Sequence, residues 1–216
     1  MTDIAARPWL IVAGTACVTL FVMLAASVDA GALQQADAEM RHRQPHPKRG
    51  PARQSALAVT ALGYPMVQLP LAATLSLGLH RAGVSHAPRV FAAACTVFIA
   101  DKSCKAVVAR RRPPGYRGDE KTQSFPSGHT ASTTAVALTA AILVGRARLR
   151  SKRAALAGAA VASLVMGESR LLLDDHWPSD VFAGLLLGCG TALLVTAPRA
   201  IRAPRIISQR LRHSHA

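Results

Sequence analysis

The sequence predicts an all-α protein, a six-helix transmembrane bundle that forms one integral-membrane domain over residues 1–216. Three observations predict it. Residues 9–28 and 55–79 contain no charged side chain, and apolar runs of about 20 residues match the hydrocarbon core of a bilayer. Half of the chain is apolar and only 17% is charged, which leaves too little polar surface to cover two such runs in a soluble fold. The net charge of +15 gathers between the apolar runs, as it does beside membranes. Nucleic acid is excluded as a partner, since there is no reader motif and no aromatic interleaving among the basic residues.

The elements follow in order. The first span covers 9–28; its apolar stretch is longer than the core of a secretory signal, so it is read as an uncleaved helix. Residues 30–54 read as a polar loop with no stable element, and His42 and His46 as solvated. The second span, 55–79, contains Pro65 and Pro70 and is expected to kink. The third, 90–109, takes Asp101, Lys102 and Lys105 into its last half. The fourth runs over 128–145 and the fifth over 154–173, with Glu168 and Arg170 near its end. The sixth covers 178–197, and 198–216 form a basic cytoplasmic tail. Cys17, Cys95, Cys104 and Cys189 lack metal-ligand spacing and read as small core residues.

Polar positions intrude at the end of span three, the start of span four, the end of span five and the start of span six. In an up-and-down bundle those four places share one side of the membrane. A charge at the centre of a spanning helix costs roughly 2.5–3.5 kcal/mol, so residues at that expense face a cavity and carry function. Parity thus gathers Lys105, Arg112, Ser127, His129, Arg170, His176 and Asp180 into one pocket. The connection after span four holds Arg146, Arg148, Arg150, Lys152 and Arg153, and the tail holds Arg199, Arg202, Arg205, Arg210 and Arg212. Both lie opposite the pocket, and positive segments stay in the cytoplasm. The pocket is therefore expected to face outward from a bacterial inner or plasma membrane. The loop with Arg41, Arg43, Lys48, Arg49 and Arg53 dissents from that assignment.

Three stretches carry chemistry. In KAVVARRRP, Lys105 and Arg112 lie seven apart and would share a helix face, converging on an anion with several oxygens. Taken alone, cations that snorkel from a helix end are the better explanation. In FPSGHT, Ser127 can cap the next helix, whose free N–H groups suit a phosphate; Gly128 permits close approach, and His129 stands in the first turn. In SRLLLDDHWPSD, His176 and Asp180 lie four apart at a helix start, with Pro178 in a permitted position. Asp180 can accept a hydrogen bond from one ring nitrogen of His176, fixing the tautomer and freeing the other nitrogen to attack. Arg170 can fork across two phosphate oxygens. Asp101 can pair with Lys105; Asp174 and Asp175 read as paired or solvated.

The stretches Lys105–Arg112–Pro113, Pro126-Ser127-Gly128-His129 and Ser169-Arg170–His176–Asp180 resemble, in order and spacing, the pattern K-x6-RP, PSGH, SR-x5-H-x3-D of the type-2 phosphatidic acid phosphatase superfamily. The superfamily also includes vanadium haloperoxidases, which are soluble; the apolar runs resemble its membrane-embedded lipid phosphatase branch. The resemblance implies catalysis by His176 as nucleophile through a phosphohistidine, Asp180 orienting it, and His129 as general acid and then base. It implies phosphate binding by Lys105, Arg112, Ser127, Gly128 and Arg170. It implies no cofactor and no metal, with cations in the metal's place. The expected activity is release of a phosphate or diphosphate group from a membrane lipid. A lipid phosphotransferase carries the same motifs, and a non-catalytic lipid-phosphate binding or transport protein would need only the cations. The particular lipid and the oligomeric state are not encoded in these motifs.

Overall fold

The computed structural model describes residues 8–118, 122–147 and 151–197, and among them it is all-helical. The helices are α1 (Pro8–Asp29), α2 (Gln34–His42), α3 (Pro51–Ala61), α4 (Pro65–Arg81), α5 (Arg89–Val108), α6 (Gly128–Ala147), α7 (Lys152–Leu172) and α8 (Pro178–Thr196). The six expected spans correspond to α1, the α3–α4 pair, α5, α6, α7 and α8. Arg148, Arg150 and the 198–216 tail lie outside the described residues.

Among the described residues, α1, α6, α7 and α8 are each long and apolar enough to cross a bilayer, and α3 with α4 reaches that measure only as a pair bent by 58°. Helix α5 matches them in length, with Asp101, Lys102 and Lys105 interrupting its apolar run. Large apolar side chains point outward on α1 (Ile11, Val12, Leu20, Val22, Met23) and α7 (Val161, Leu164, Val165), where lipid would meet them. The four cysteines are free and half-buried.

Small residues bring the central helices together, as membrane packing requires when apolar burial alone supplies no drive. A Cβ on Gly184 would stand 2.7 Å from the Ser127 carbonyl, and one on Gly188 would stand 2.6 Å from that of Ala131, so α8 seats directly on α6. A Cβ on Gly14 would meet Leu194 at 2.8 Å, which fixes α1 against the far end of α8. Phe21, Val97, Phe125, Ala131, Ala135 and Leu187 form the core where α1, α5, α6 and α8 meet.

Two expectations change. Residues 30–54 are not without structure: Gln34–His42 is helical. It is only nine residues long and polar on average, and its one buried residue is Asp37, 2% exposed, which accepts the Ser179 N–H at 2.9 Å. The second span does more than kink. Pro65 starts a new helix behind an extended Tyr64. Helix α3 lies at the pocket side: Thr60 near its end bonds to Arg170, and the Arg53 charge near its start acts on Asp175. Helix α4 is then the leg that descends through the bundle.

Candidate active site

The ends of α5 and α7, the starts of α4, α6 and α8, and the segments between them meet at a cleft of ≈ 230 Å³. Lys105, Arg112, Gly128, His129, Arg170 and His176 all line it. Five of the seven residues that parity gathers therefore line the cleft, with Gly128 beside them, while Ser127 and Asp180 stand behind the wall.

The cations arrive differently from the expectation. Helix α5 ends at Val108 because Ala109 turns into the left-handed region, φ 46°. Arg112 thus does not share a helix face with Lys105; it comes from a non-helical segment that crosses the mouth of the cleft. That segment is anchored by Ser124, whose N–H donates to the Arg110 carbonyl at 2.9 Å, and by Trp177, whose indole N–H donates to the Arg111 carbonyl at 2.9 Å. Arg112 Nη1 donates to the Asp175 carbonyl at 2.5 Å and stands 3.5 Å from His176 Nε2. Its guanidinium lies 4.4 Å over the Tyr116 ring. Lys105 pairs with Asp101 one turn earlier and donates to the Pro126 carbonyl at 3.0 Å. Arg170 pairs with Asp175 at 2.7 Å and with Thr60.

Both imidazoles are positioned by close packing. A Cβ on Gly63, in the α3–α4 turn, would run into the His129 ring, and Tyr64 packs edge-on against that ring at 4.9 Å. His129 Nε2 is buried and has no hydrogen-bond partner among the described residues. His176 precedes α8 and is 4% exposed. Burial, then the charges of Arg170, Arg112 and Lys105, hold its imidazole well below the ordinary range, while the Ser124 backbone pulls the other way. The ring is neutral at physiological pH, the form a nucleophile requires. Burial pushes Asp175 above the usual carboxylate range, against the attraction of Arg170, Arg112 and Arg53.

Two side chains depart from their expected contacts. His176 Nδ1 and Asp180 Oδ2 are 3.6 Å apart, beyond a hydrogen bond, and no side chain among the described residues hydrogen-bonds Nδ1. Asp180 sits at the third position of α8 and reaches back to the Trp177 backbone N–H at 2.9 Å, while Arg110 takes its other oxygen at 2.6 Å. Ser127 is fully buried, and its hydroxyl pairs with Thr130 Oγ1 at 2.9 Å rather than facing the cleft. Gly128 lines the cleft, where a Cβ would stand 2.7 Å from Asp101 Oδ1.

Sequence reasoning missed the residues that hold Asp180. Arg110 donates to Asp180 Oδ1 and to Asp37 Oδ2, both at 2.6 Å, and to Ser179 Oγ at 2.8 Å. Ser179 in turn donates its hydroxyl to Asp37 at 2.6 Å. A second strap joins the polar loop to the same segment: Arg41 and His46 contact Asp174 Oδ1 at 2.8 and 3.1 Å.

The sequence profile of the PAP2 superfamily matches residues 88–200, more than half of the chain. Over 96 residues the chain is 40% identical to the decaprenylphosphoryl-5-phosphoribose phosphatase of two Mycobacterium tuberculosis strains. That match covers 42% of this chain and 49% of the relative, so the chain spans about half the length of the curated relatives it matches. The crystal structure of a transmembrane PAP2-type phosphatidylglycerolphosphate phosphatase from Bacillus subtilis superposes with a TM-score of 0.74 at 25% identity, over 84% of this chain and 93% of that one. Its apolar helices and this likeness make the chain an integral membrane protein, and the matched profile, spanning every residue of the cleft's cationic wall, makes it a member of the PAP2 superfamily.

Proposed function

We propose that the chain hydrolyses a phosphate from a membrane lipid without a metal, through a phosphohistidine on His176. The observation that carries this reading is the convergence of two imidazoles and three cations, Lys105, Arg112 and Arg170, on one cleft. In the first step His176 Nε2 attacks phosphorus, a P–N bond forms and the P–O bond to the lipid alcohol breaks. His129 gives its proton to the departing oxygen. In the second step His129 takes a proton from water, the hydroxide oxygen attacks phosphorus, and the P–N bond breaks to release inorganic phosphate. The three cations hold the phosphoryl oxygens as charge moves across them. Asp180 stabilises the charge that His176 gains, from behind the ring. The likeness to phosphatases of two lipid phosphates supports a lipid substrate. Basic residues at the end of α6 and the start of α7, Arg146, Lys152 and Arg153, favour a cytoplasmic side opposite the cleft, so the cleft faces outward.

The test is phosphate release from detergent-solubilised lipid phosphates in the presence of a chelator. His176→Ala is expected to abolish it, and wild-type protein quenched in base during turnover should carry acid-labile phosphate on His176. Full turnover by the variant would remove the mechanism.

A further inference from the structure

The turn that delivers His176 breaks a local rule. Helix α7 ends on a pair of closing bonds: the Asp174 N–H donates to the Leu171 carbonyl and the Asp175 N–H to the Arg170 carbonyl, both at 3.0 Å. That closure puts the residue after the cap in the left-handed region, where glycine is the usual choice. Here the residue is Asp174, at φ 58°. A side chain kept at such a position persists when its surroundings hold it there. Arg41 Nε donates to Asp174 Oδ1 at 2.8 Å, and His46 Nδ1 stands 3.1 Å from the same oxygen. His46 Nε2 lies 2.8 Å from the Arg41 carbonyl, so Arg41, His46 and Asp174 close a ring of contacts. On the other side, a Cβ on Gly115 would run into the carboxylate, so the segment that carries Arg112 packs against it. Arg41 lies four residues after Asp37 and thus on the same face of α2, about 6 Å along its axis. Asp37 accepts the Ser179 N–H at 2.9 Å. One face of α2 therefore holds the chain two residues before His176 and three residues after it.

We infer that Asp174 is a positioning residue for the nucleophile, and that its contact with Arg41 sets where the His176 ring stands in the cleft. The assignment rests on the phosphatase reading, with His176 as nucleophile. Asp174 does not line the cleft, so it acts through the turn and touches no substrate. The two closing bonds fix the backbone of the turn relative to α7 alone. The Arg41 contact fixes it relative to α2 and, through Asp37, relative to the start of α8. A ring released from α2 loses its register with a phosphate held beside it, and a reacting atom misplaced by 1 Å costs about 100-fold in rate. The cations keep anchors of their own: Thr122 and the Tyr116 ring for Arg112, Thr60 for Arg170. Phosphate binding therefore outlasts the loss of the Asp174 carboxylate, and the speed of the chemical step does not.

The experiment measures phosphate release by the purified full chain in detergent from phosphatidate, phosphatidylglycerol phosphate and polyprenyl diphosphate, and compares variants on the lipid that wild type turns over fastest. Asp174→Gly keeps the turn, since glycine accepts φ 58°, and removes the carboxylate. It should lower kcat by roughly 10- to 100-fold, with KM within about 2-fold of wild type. Asp174→Asn also tolerates the turn and keeps an acceptor for Arg41, so its kcat should recover to within about 3-fold of wild type. Arg41→Met should match Asp174→Gly, and the double variant should be no slower than the slower single, since one contact is lost either way. Asp174→Gly with a wild-type kcat overturns the inference, because the turn alone explains that result. So does a loss confined to KM, and so do losses that multiply in the double variant. Should Asp174→Gly not fold, Arg41→Met decides by the same split between kcat and KM. An inactive His176→Ala beside a fully active Asp174→Gly removes the positioning role and leaves the phosphatase reading, whereas full turnover by His176→Ala removes both.

Discussion

Replacing Arg110 by methionine tests the network that holds Asp180. The guanidinium lies between two carboxylates, 2.6 Å from each, with Asp37 2% exposed and Asp180 fully buried. At about 4 Å between charge centres and an effective dielectric near 20, each contact is worth on the order of 4 kcal/mol before desolvation. Removing one partner of such a pair leaves uncompensated charge and costs about 3–5 kcal/mol. In a chain of this length that lowers the midpoint of thermal unfolding in detergent by roughly 6–20 °C. Asp37→Asn costs less, because an amide oxygen can still accept from the Ser179 N–H. The double variant should fall short of the sum by about 0.5–3 kcal/mol, since with Asp37 neutral the loss of Arg110 strands one charge instead of two. On activity, Arg110→Met should lower kcat with little change in KM, because Arg110 does not line the cleft. A midpoint shift under about 2 °C with additive variants would mean that the network behaves as an exposed pair, and the reasoning from burial would fail.

Other tests read other parts of the site. The His176 imidazole is held well below its ordinary range, chiefly by burial and then by Arg170, Arg112 and Lys105. A depressed folded value means that stability is complete above the unfolded value near pH 6.5 and declines as pH falls below it, by up to about 1.4 kcal/mol per pH unit. Unfolding midpoints of wild type and His176→Phe between pH 7.5 and 5 should therefore converge as pH falls; parallel curves would contradict the burial. Gly63→Ala pushes a methyl group into the His129 ring. Displacing that ring by about 1 Å should lower kcat by roughly 100-fold with a near-normal KM; kinetics like wild type would show that the ring is free to move aside.

What was legible in the sequence divides along physical lines. Five spans were readable to within a few residues, because a bilayer imposes a length and charge-free runs report it. Helix α2 was not readable: QQADAEMRH is short and polar on average, and its one buried residue, Asp37, is fixed by partners about 70 and 140 positions away in the chain. Position α3 fails similarly. Pro65 announces a break, but only Thr60 meeting Arg170 turns α3 along the pocket surface. Within the site, parity found the convergence and periodicity misjudged how it is made. A spacing of seven puts Lys105 and Arg112 on one face only if the helix continues, and it stops at Val108. Among Arg110, Arg111 and Arg112, nothing local says that one holds Asp180 while another faces the cleft.

The spacing of His176 and Asp180 shows the same limit in its sharpest form. Four residues apart brings two side chains together when both are helical, but α8 begins at Pro178, so His176 lies outside it. Asp180 is then free to serve the helix start, and it does, accepting from the Trp177 N–H while Arg110 matches its charge. The resting His176 ring, neutral and 3.6 Å away, offers Asp180 too little to compete with a guanidinium at 2.6 Å. In the proposed mechanism that balance changes once phosphorus is bound to Nε2 and the ring gains charge. The carboxylate that the resting ring fails to hold would then face a new cation from the Nδ1 side, so on that mechanism Asp180 acts most strongly on the intermediate and least on the empty enzyme.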